Sequence, residues 1–86
     1  MWNDRLRIAE SVEAGWKSLT SAERDVVRNA LERIDEDPII GAPLFEPYKG
    51  LWSYRVGGLR ILYRIMPEAR FVVILSIGRA EENHRR

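Results

Sequence analysis

Two adjacent glycines, Gly57 and Gly58, interrupt a stretch in which apolar and polar residues alternate on both sides. Both central positions of a two-residue hairpin turn take positive φ, which glycine adopts without steric penalty, so residues 50–64 read as a tight β-hairpin. Counting outward from the turn sets the register. Val56 faces Leu59, Arg55 faces Arg60, Tyr54 faces Ile61 and Trp52 faces Tyr63. One face then carries Trp52, Tyr54, Val56, Leu59, Ile61, Tyr63 and Ile65, a core-like set, and the other carries Ser53, Arg55, Arg60, Leu62 and Arg64. Like charges directly opposed destabilise a strand pair. Two guanidinium groups held side by side are best explained by an anion between them.

The segments around the hairpin supply its partners. Leu6 and Ile8 alternate with Arg5 and Arg7, the pattern of a short first strand that points both apolar residues one way. Trp16 and Leu19 anchor the end of a short helix. Thr20-Ser21-Ala22-Glu23 is a capping box, and behind it Val26, Val27, Ala30, Leu31 and Ile34 recur at helical spacing, predicting an amphipathic helix of about four turns. Pro38 disfavours helix at Asp37, and the acidic residues before it oppose the macrodipole, so that end is expected to fray. Residues 39–49 form a loop with Gly41, Pro43 and Pro47, in which Leu44 and Phe45 are expected to plug onto the core. After a turn at Pro67, residues 70–77 are apolar on both faces and predict a strand covered on both sides. The expected fold is α+β: a short strand and two N-terminal helices packed on an antiparallel sheet, in the order β-α-α-β-β-β, as a single domain over residues 1–86.

Composition narrows the chemistry. The chain has no cysteine and one histidine, His84, so neither a thiolate site nor a multi-histidine metal site is available, and no metal or cofactor is expected. No segment is long and apolar enough to span a bilayer, and the first residues lack a signal-peptide pattern, which leads to the expectation of a cytoplasmic protein with no membrane partner. Charge is unevenly placed. Residues 1–48 hold 6 basic and 10 acidic groups, whereas residues 49–86 hold 8 basic and 3 acidic ones. An acidic half joined to a basic half points to a polyanion or an acidic protein as partner.

The order of elements, with Lys49-Gly50-Leu51-Trp52-Ser53-Tyr54-Arg55-Val56-Gly57-Gly58-Leu59-Arg60-Ile61-Leu62-Tyr63-Arg64-Ile65 preceded by Leu44, resembles the RelE/ParE superfamily of bacterial toxin–antitoxin toxins. The run Val72-Val73-Ile74-Leu75-Ser76-Ile77-Gly78-Arg79 is similar to the last strand and Gly-His-Arg type tail of that family. Two branches matter. RelE-like members cut messenger RNA on the ribosome, and ParE-like members poison DNA gyrase. The resemblance implies a RelE-like toxin of a type II module, inhibiting translation by ribosome-dependent cleavage and held inactive by a cognate antitoxin in a hetero-oligomer. The alternatives it leaves are a gyrase inhibitor without nuclease activity, or a degenerate toxin that acts only as an antitoxin-binding co-repressor.

Cleavage through a neighbouring 2′-hydroxyl needs a group to accept its proton, a group to neutralise the phosphorane and a group to protonate the leaving oxygen. By resemblance, Arg60 falls on the family's phosphate-stabilising hairpin arginine and Arg55 on a position that is often basic. Arg79 lies beside a family arginine, with Ala80 as the other candidate match. His84 lies near the terminal Tyr or His that assists proton transfer. These four are the expected catalytic residues, with Lys49 and Arg64 as RNA contacts. The sequence departs from the pattern where Ser53 and Arg55 stand in place of hairpin lysines. Arginine stays protonated and is a poor general base. Glu46, Glu81 and Glu82 are the carboxylates that remain as candidate bases.

Overall fold

The hairpin forms in the computed structural model, which describes residues 5–68 and 70–80, in the register counted from its turn. Strands β3 (Leu51–Val56) and β4 (Leu59–Met66) flank Gly57 and Gly58, at φ 56° and 79°. Positive φ at both central residues gives a turn whose twist matches that of the strands. Strand β5 (Phe71–Arg79) pairs antiparallel with the far side of β4. The N-terminal strand β1 (Leu6–Ile8) runs parallel to β5, and a two-residue strand β2 (Ala42–Pro43) lies along β3. The sheet order is β1-β5-β4-β3-β2, so the sheet is antiparallel except at its first pair. The most apolar strand has a neighbour on each side, and the arginine-bearing β1 and proline-bearing β2 form the edges.

Helix α1 (Val12–Lys17) and helix α2 (Ser21–Glu36) cover one face of the sheet. The capping box is present in both directions: Glu23 N donates to Thr20 Oγ1 at 3.1 Å, and Thr20 N donates to Glu23 Oε1 at 2.9 Å. Val27, Ala30, Leu31 and Ile34 pack onto Leu59, Ile61, Tyr63, Val72, Ile74 and Ile77. Gly15 permits α1 to lie directly on β5, because a methyl group there would overlap the Ile77 carbonyl oxygen. Trp16 joins the helices through the guanidinium groups of Arg24 and Arg28, at 5.2 and 5.3 Å from its ring.

The structure corrects three expectations. Residues 71–77 are not covered on both sides: Val72, Ile74 and Ile77 are buried, while Phe71, Val73, Leu75 and Ser76 are half-buried on a face that no described helix covers. Ile74 and Ile77, three apart, share the core because the ladder shifts register at Leu75, a bulge that keeps both facing inward. Ser11 Oγ donates to the Leu75 carbonyl at 2.6 Å, satisfying an acceptor near the shift. Ile8 shares a face with buried Leu6 but stays half exposed at the sheet edge. Phe45 does not plug the core, being 84% exposed, and only Leu44 is half-buried. The C-terminal end of α2, expected to fray, is helical through Glu36: Asp37 N donates to Arg33 O, and Asp35 is buried.

Candidate functional site

No strand of the sheet contains an acidic residue. Because side chains alternate along a strand, the face turned away from the helices receives Arg7 from β1, Arg55 from β3, and Arg60 and Arg64 from β4. Carboxylates of the described residues lie on the helices and in loops. Arg55, Arg60, Arg64 and Lys49 form no ion pair among the described residues. Arg7 is occupied. Its guanidinium lies 4.0 Å from the Phe71 ring centroid and donates to the Leu6 carbonyl at 3.0 Å.

Arg55 and Arg60 stand directly opposite each other, one pair inward from the turn. In a two-residue hairpin that pair is the non-hydrogen-bonded kind, with Cα atoms about 4.5 Å apart. Arg55 is exposed, Arg60 is half-buried, and the buried Nε of Arg60 has no hydrogen-bond partner among the described residues. On its other side Arg60 faces Gly78. A Cβ placed on Gly78 would meet nothing within 4 Å. Arg60 is therefore flanked in the ladder by a second arginine and by a strand position with no side chain, where the space above the backbone is open. Sequence reasoning missed Gly78. Its signal was the register itself, which pairs a bare strand residue with the arginine that most needs a partner.

Arg79 does not join this pair. It faces Leu59 across the ladder, on the helix-covered face. Its guanidinium donates to Glu23 Oε1 at 2.7 Å, to Glu23 Oε2 at 3.3 Å and to the Ser18 carbonyl at 3.2 Å. The backbone hydrogen bond from Thr20, with the Arg79 guanidinium beside it, holds the Glu23 carboxyl below its ordinary range. Arg79 thus ties the end of β5 to the start of α2. Ala80, the other match to the family arginine, is buried and donates to the Gly58 carbonyl. Arg64 lies at the other end of β4, its Nη1 only 2.9 Å from where a Cβ on Gly50 would stand, next to exposed Lys49. Glu46 is exposed in the same loop. His84, Glu81 and Glu82 lie outside the described residues. The open-face strand positions supply cations but no carboxylate, lysine or histidine.

Among the described residues there is no group of acidic or histidine side chains that could hold a metal ion, and no helix is long and apolar enough to cross a membrane. Residues 2–84 match the model of the ParE toxin of the type II toxin–antitoxin system parDE. A chain of the toxin–antitoxin complex RelBE2 from Mycobacterium tuberculosis is 30% identical, with a TM-score of 0.80 over 87% of this chain and 95% of that one. The isolated RelE toxin of E. coli is similar in fold, with 22% identity and a TM-score of 0.75 over 95% of this chain and 86% of that one. A chain of the intact E. coli RelBE complex has 23% identity and the same TM-score, over 95% of this chain and 98% of that one. A search of curated proteins found no match. With the two helices on one face of the sheet and the opposed arginines on the other, the chain belongs to the RelE/ParE superfamily of type II toxin–antitoxin toxins.

Proposed function

We propose that this toxin inhibits translation by engaging messenger RNA in the ribosome through the open face of its sheet and cleaving it there. One observation carries the reading: Arg55 and Arg60 are opposed on an acid-free face, with Arg60 Nε unpartnered and Gly78 leaving room beside it. A phosphodiester seated on the open face beside Gly78 relieves the repulsion between the two arginines. Arginine binds phosphate through a planar fork and stabilises the charge that develops on a phosphorane. In this reading Arg60 and Arg55 hold the scissile phosphate, and Arg64 and Lys49 hold the strand to one side. His84 supplies proton transfer, the one step that the guanidinium groups cannot perform. Arg79 is assigned a positioning role instead, holding the end of β5 and with it Gly78 next to Arg60. A cognate antitoxin that covers this face in a hetero-oligomer, as the RelBE complexes pair toxin with antitoxin, keeps the toxin inactive.

The test is a reconstituted translation reaction with antitoxin-free protein and primer-extension mapping of message ends. Cuts within ribosome-occupied codons are expected. Arg60→Ala should lower cleavage at least a hundredfold without lowering the melting temperature. Gly78→Leu should lower cleavage likewise by occupying the space beside Arg60, since its backbone φ is not in the left-handed region and the space around it is open. Full cleavage by both variants sinks the reading.

A second reading, gyrase inhibition without cleavage, is favoured by the ParE family match and by the lack of a proton-transfer group on the open-face strand positions. Intact messages together with blocked supercoiling by purified gyrase would establish it.

A further inference from the structure

Two of the most exposed large apolar side chains of the described residues belong to one turn. Phe45 is 84% exposed and Tyr48 60%. Tyr48 N donates to the Phe45 carbonyl at 2.8 Å, and Leu51 N donates to the Tyr48 carbonyl at 3.1 Å, so two consecutive turns hold both residues within the short β2–β3 connection. A turn of this kind keeps its first and fourth Cα atoms within about 7 Å. The base of the connection is fixed. Leu44 N donates to the Leu51 carbonyl at 2.9 Å, and the buried Tyr63 hydroxyl donates to the Pro38 carbonyl at 2.6 Å while accepting from Gly41 N at 3.1 Å. The rings therefore project from a held frame.

Their surroundings carry two cations and one carboxylate, Glu46. Lys49 follows Tyr48, and Arg64 packs against Gly50 on the following turn. Arg64 shares its strand and its face with Arg60, four residues away, roughly 13 Å at the rise of a β-strand. An exposed aromatic pair at one end of a line of arginines is the arrangement that holds single-stranded nucleic acid, with phosphates on the cations and bases on the rings. A protein partner would be met by apolar rings alone, whereas these belong to the connection that closes beside Arg64, at that end of β4.

We propose that Phe45 and Tyr48 form a base-stacking platform for single-stranded RNA, seating a nucleotide at the Arg64 end of the strand whose phosphate lies at Arg55 and Arg60. This rests on the polyanion-binding role proposed for the open face. The platform favours purines, which offer the larger π-surface. Glu46, inside the same turn, opposes binding by repelling phosphate and sets a limit on affinity.

The experiment compares two fluorescently labelled probes of equal charge, an octamer of riboadenylate and an octamer of abasic ribose phosphate, by anisotropy at low salt. The wild-type protein should bind the adenylate about tenfold or more tightly than the abasic chain, and Phe45→Ala with Tyr48→Ala should remove that difference while leaving abasic binding unchanged. Phe45→Trp should retain it, and Glu46→Gln should tighten both probes. Both rings are exposed, so the variants should keep the wild-type melting temperature. Equal binding of the two probes by the wild type, or an unaltered preference in the double alanine variant, overturns the platform. In that case a loss of both probes in Arg60→Ala would still uphold the phosphate face. If Arg60→Ala moves neither probe, or the wild type binds neither, the phosphate face falls together with the platform. Weakened binding to the antitoxin in the double alanine variant, with RNA affinity intact, identifies the rings as a protein contact and also overturns the proposal.

Discussion

On the helix-covered face of the sheet Arg79 donates to both oxygens of Glu23 and to the Ser18 carbonyl, and the Tyr63 hydroxyl both donates and accepts. On the open face, a few residues away in the same ladder, Arg60 stands opposite Arg55 with its Nε unpartnered. The same residue type is used in two ways. Arg79 sits where its charge is answered by a carboxylate, so it contributes to holding the fold together. Arg60 sits where its charge is opposed, so the fold would be at least as stable without it. A position that retains charge against the interest of stability is where a ligand supplies the missing partner. That difference, rather than the count of arginines, separates the scaffold from the site.

The comparison can be broken most forcefully on the covered face. Tyr63→Phe removes one donor and one acceptor from a fully buried hydroxyl and leaves the Gly41 N–H and the Pro38 carbonyl without it. The expected loss is about 2 kcal/mol, and a domain of this size should then melt about 10 °C lower. Alkaline titration reports the same contact. Burial pushes the Tyr63 phenol above its ordinary value. The native state therefore keeps its proton where the unfolded chain loses it. This contribution is complete below about pH 10 and is lost as pH rises through the native value. The Phe variant should lack that part of the alkaline decline. A melting temperature unchanged by Tyr63→Phe would mean that the loop is not anchored through this hydroxyl.

The acid side tests the Arg79 tie. The Glu23 carboxyl is held below its ordinary value of 4.5 by the Thr20 amide and the Arg79 guanidinium. A depressed native value means that its stabilisation is present above the unfolded value and disappears as pH falls through the native one. Glu23→Gln should be less stable than wild type at neutral pH and should converge with it in thermal melts as pH falls through the native value. Parallel curves across the whole range would show that the ion pair does not couple β5 to α2.

The residues that made the fold legible were those under strong local constraint. Gly57 and Gly58 dictated the turn, and the turn dictated every pair of the hairpin, including Arg55 with Arg60. Thr20 and Glu23 marked the start of α2 through chemistry confined to four residues. What escaped the sequence was set by distant partners. The parallel pairing of β1 with β5 depends on where the helices deliver the chain, and nothing within Leu6–Ile8 encodes it. The register shift at Leu75 reverses the faces on either side of it, which made residues 71–77 look apolar all round. Arg79 was grouped with Arg60 by resemblance and by charge. Its face follows from the ladder, where it pairs with buried Leu59, and only the fold shows Glu23 waiting there. Phe45 looked like core because it is apolar, yet the short β2–β3 connection turns before it can reach inward.

The smallest effect is the most informative one. Arg60→Gln keeps much of the side-chain stem and removes the charge that faces Arg55. Relief of directly opposed like charges on a strand pair should raise stability by about 0.2–1 kcal/mol, measured by urea titration at low salt. The gain should shrink as salt screens the exposed pair. Arg79→Gln, the same chemical change on the other face, should lower stability, because Glu23 loses its charged partner and the Ser18 carbonyl loses a donor. Opposite signs from one substitution, made twice in a single sheet, would establish that Arg60 is retained for something outside the chain. Equal losses would make Arg60 structural and remove the physical ground for placing a phosphate beside it.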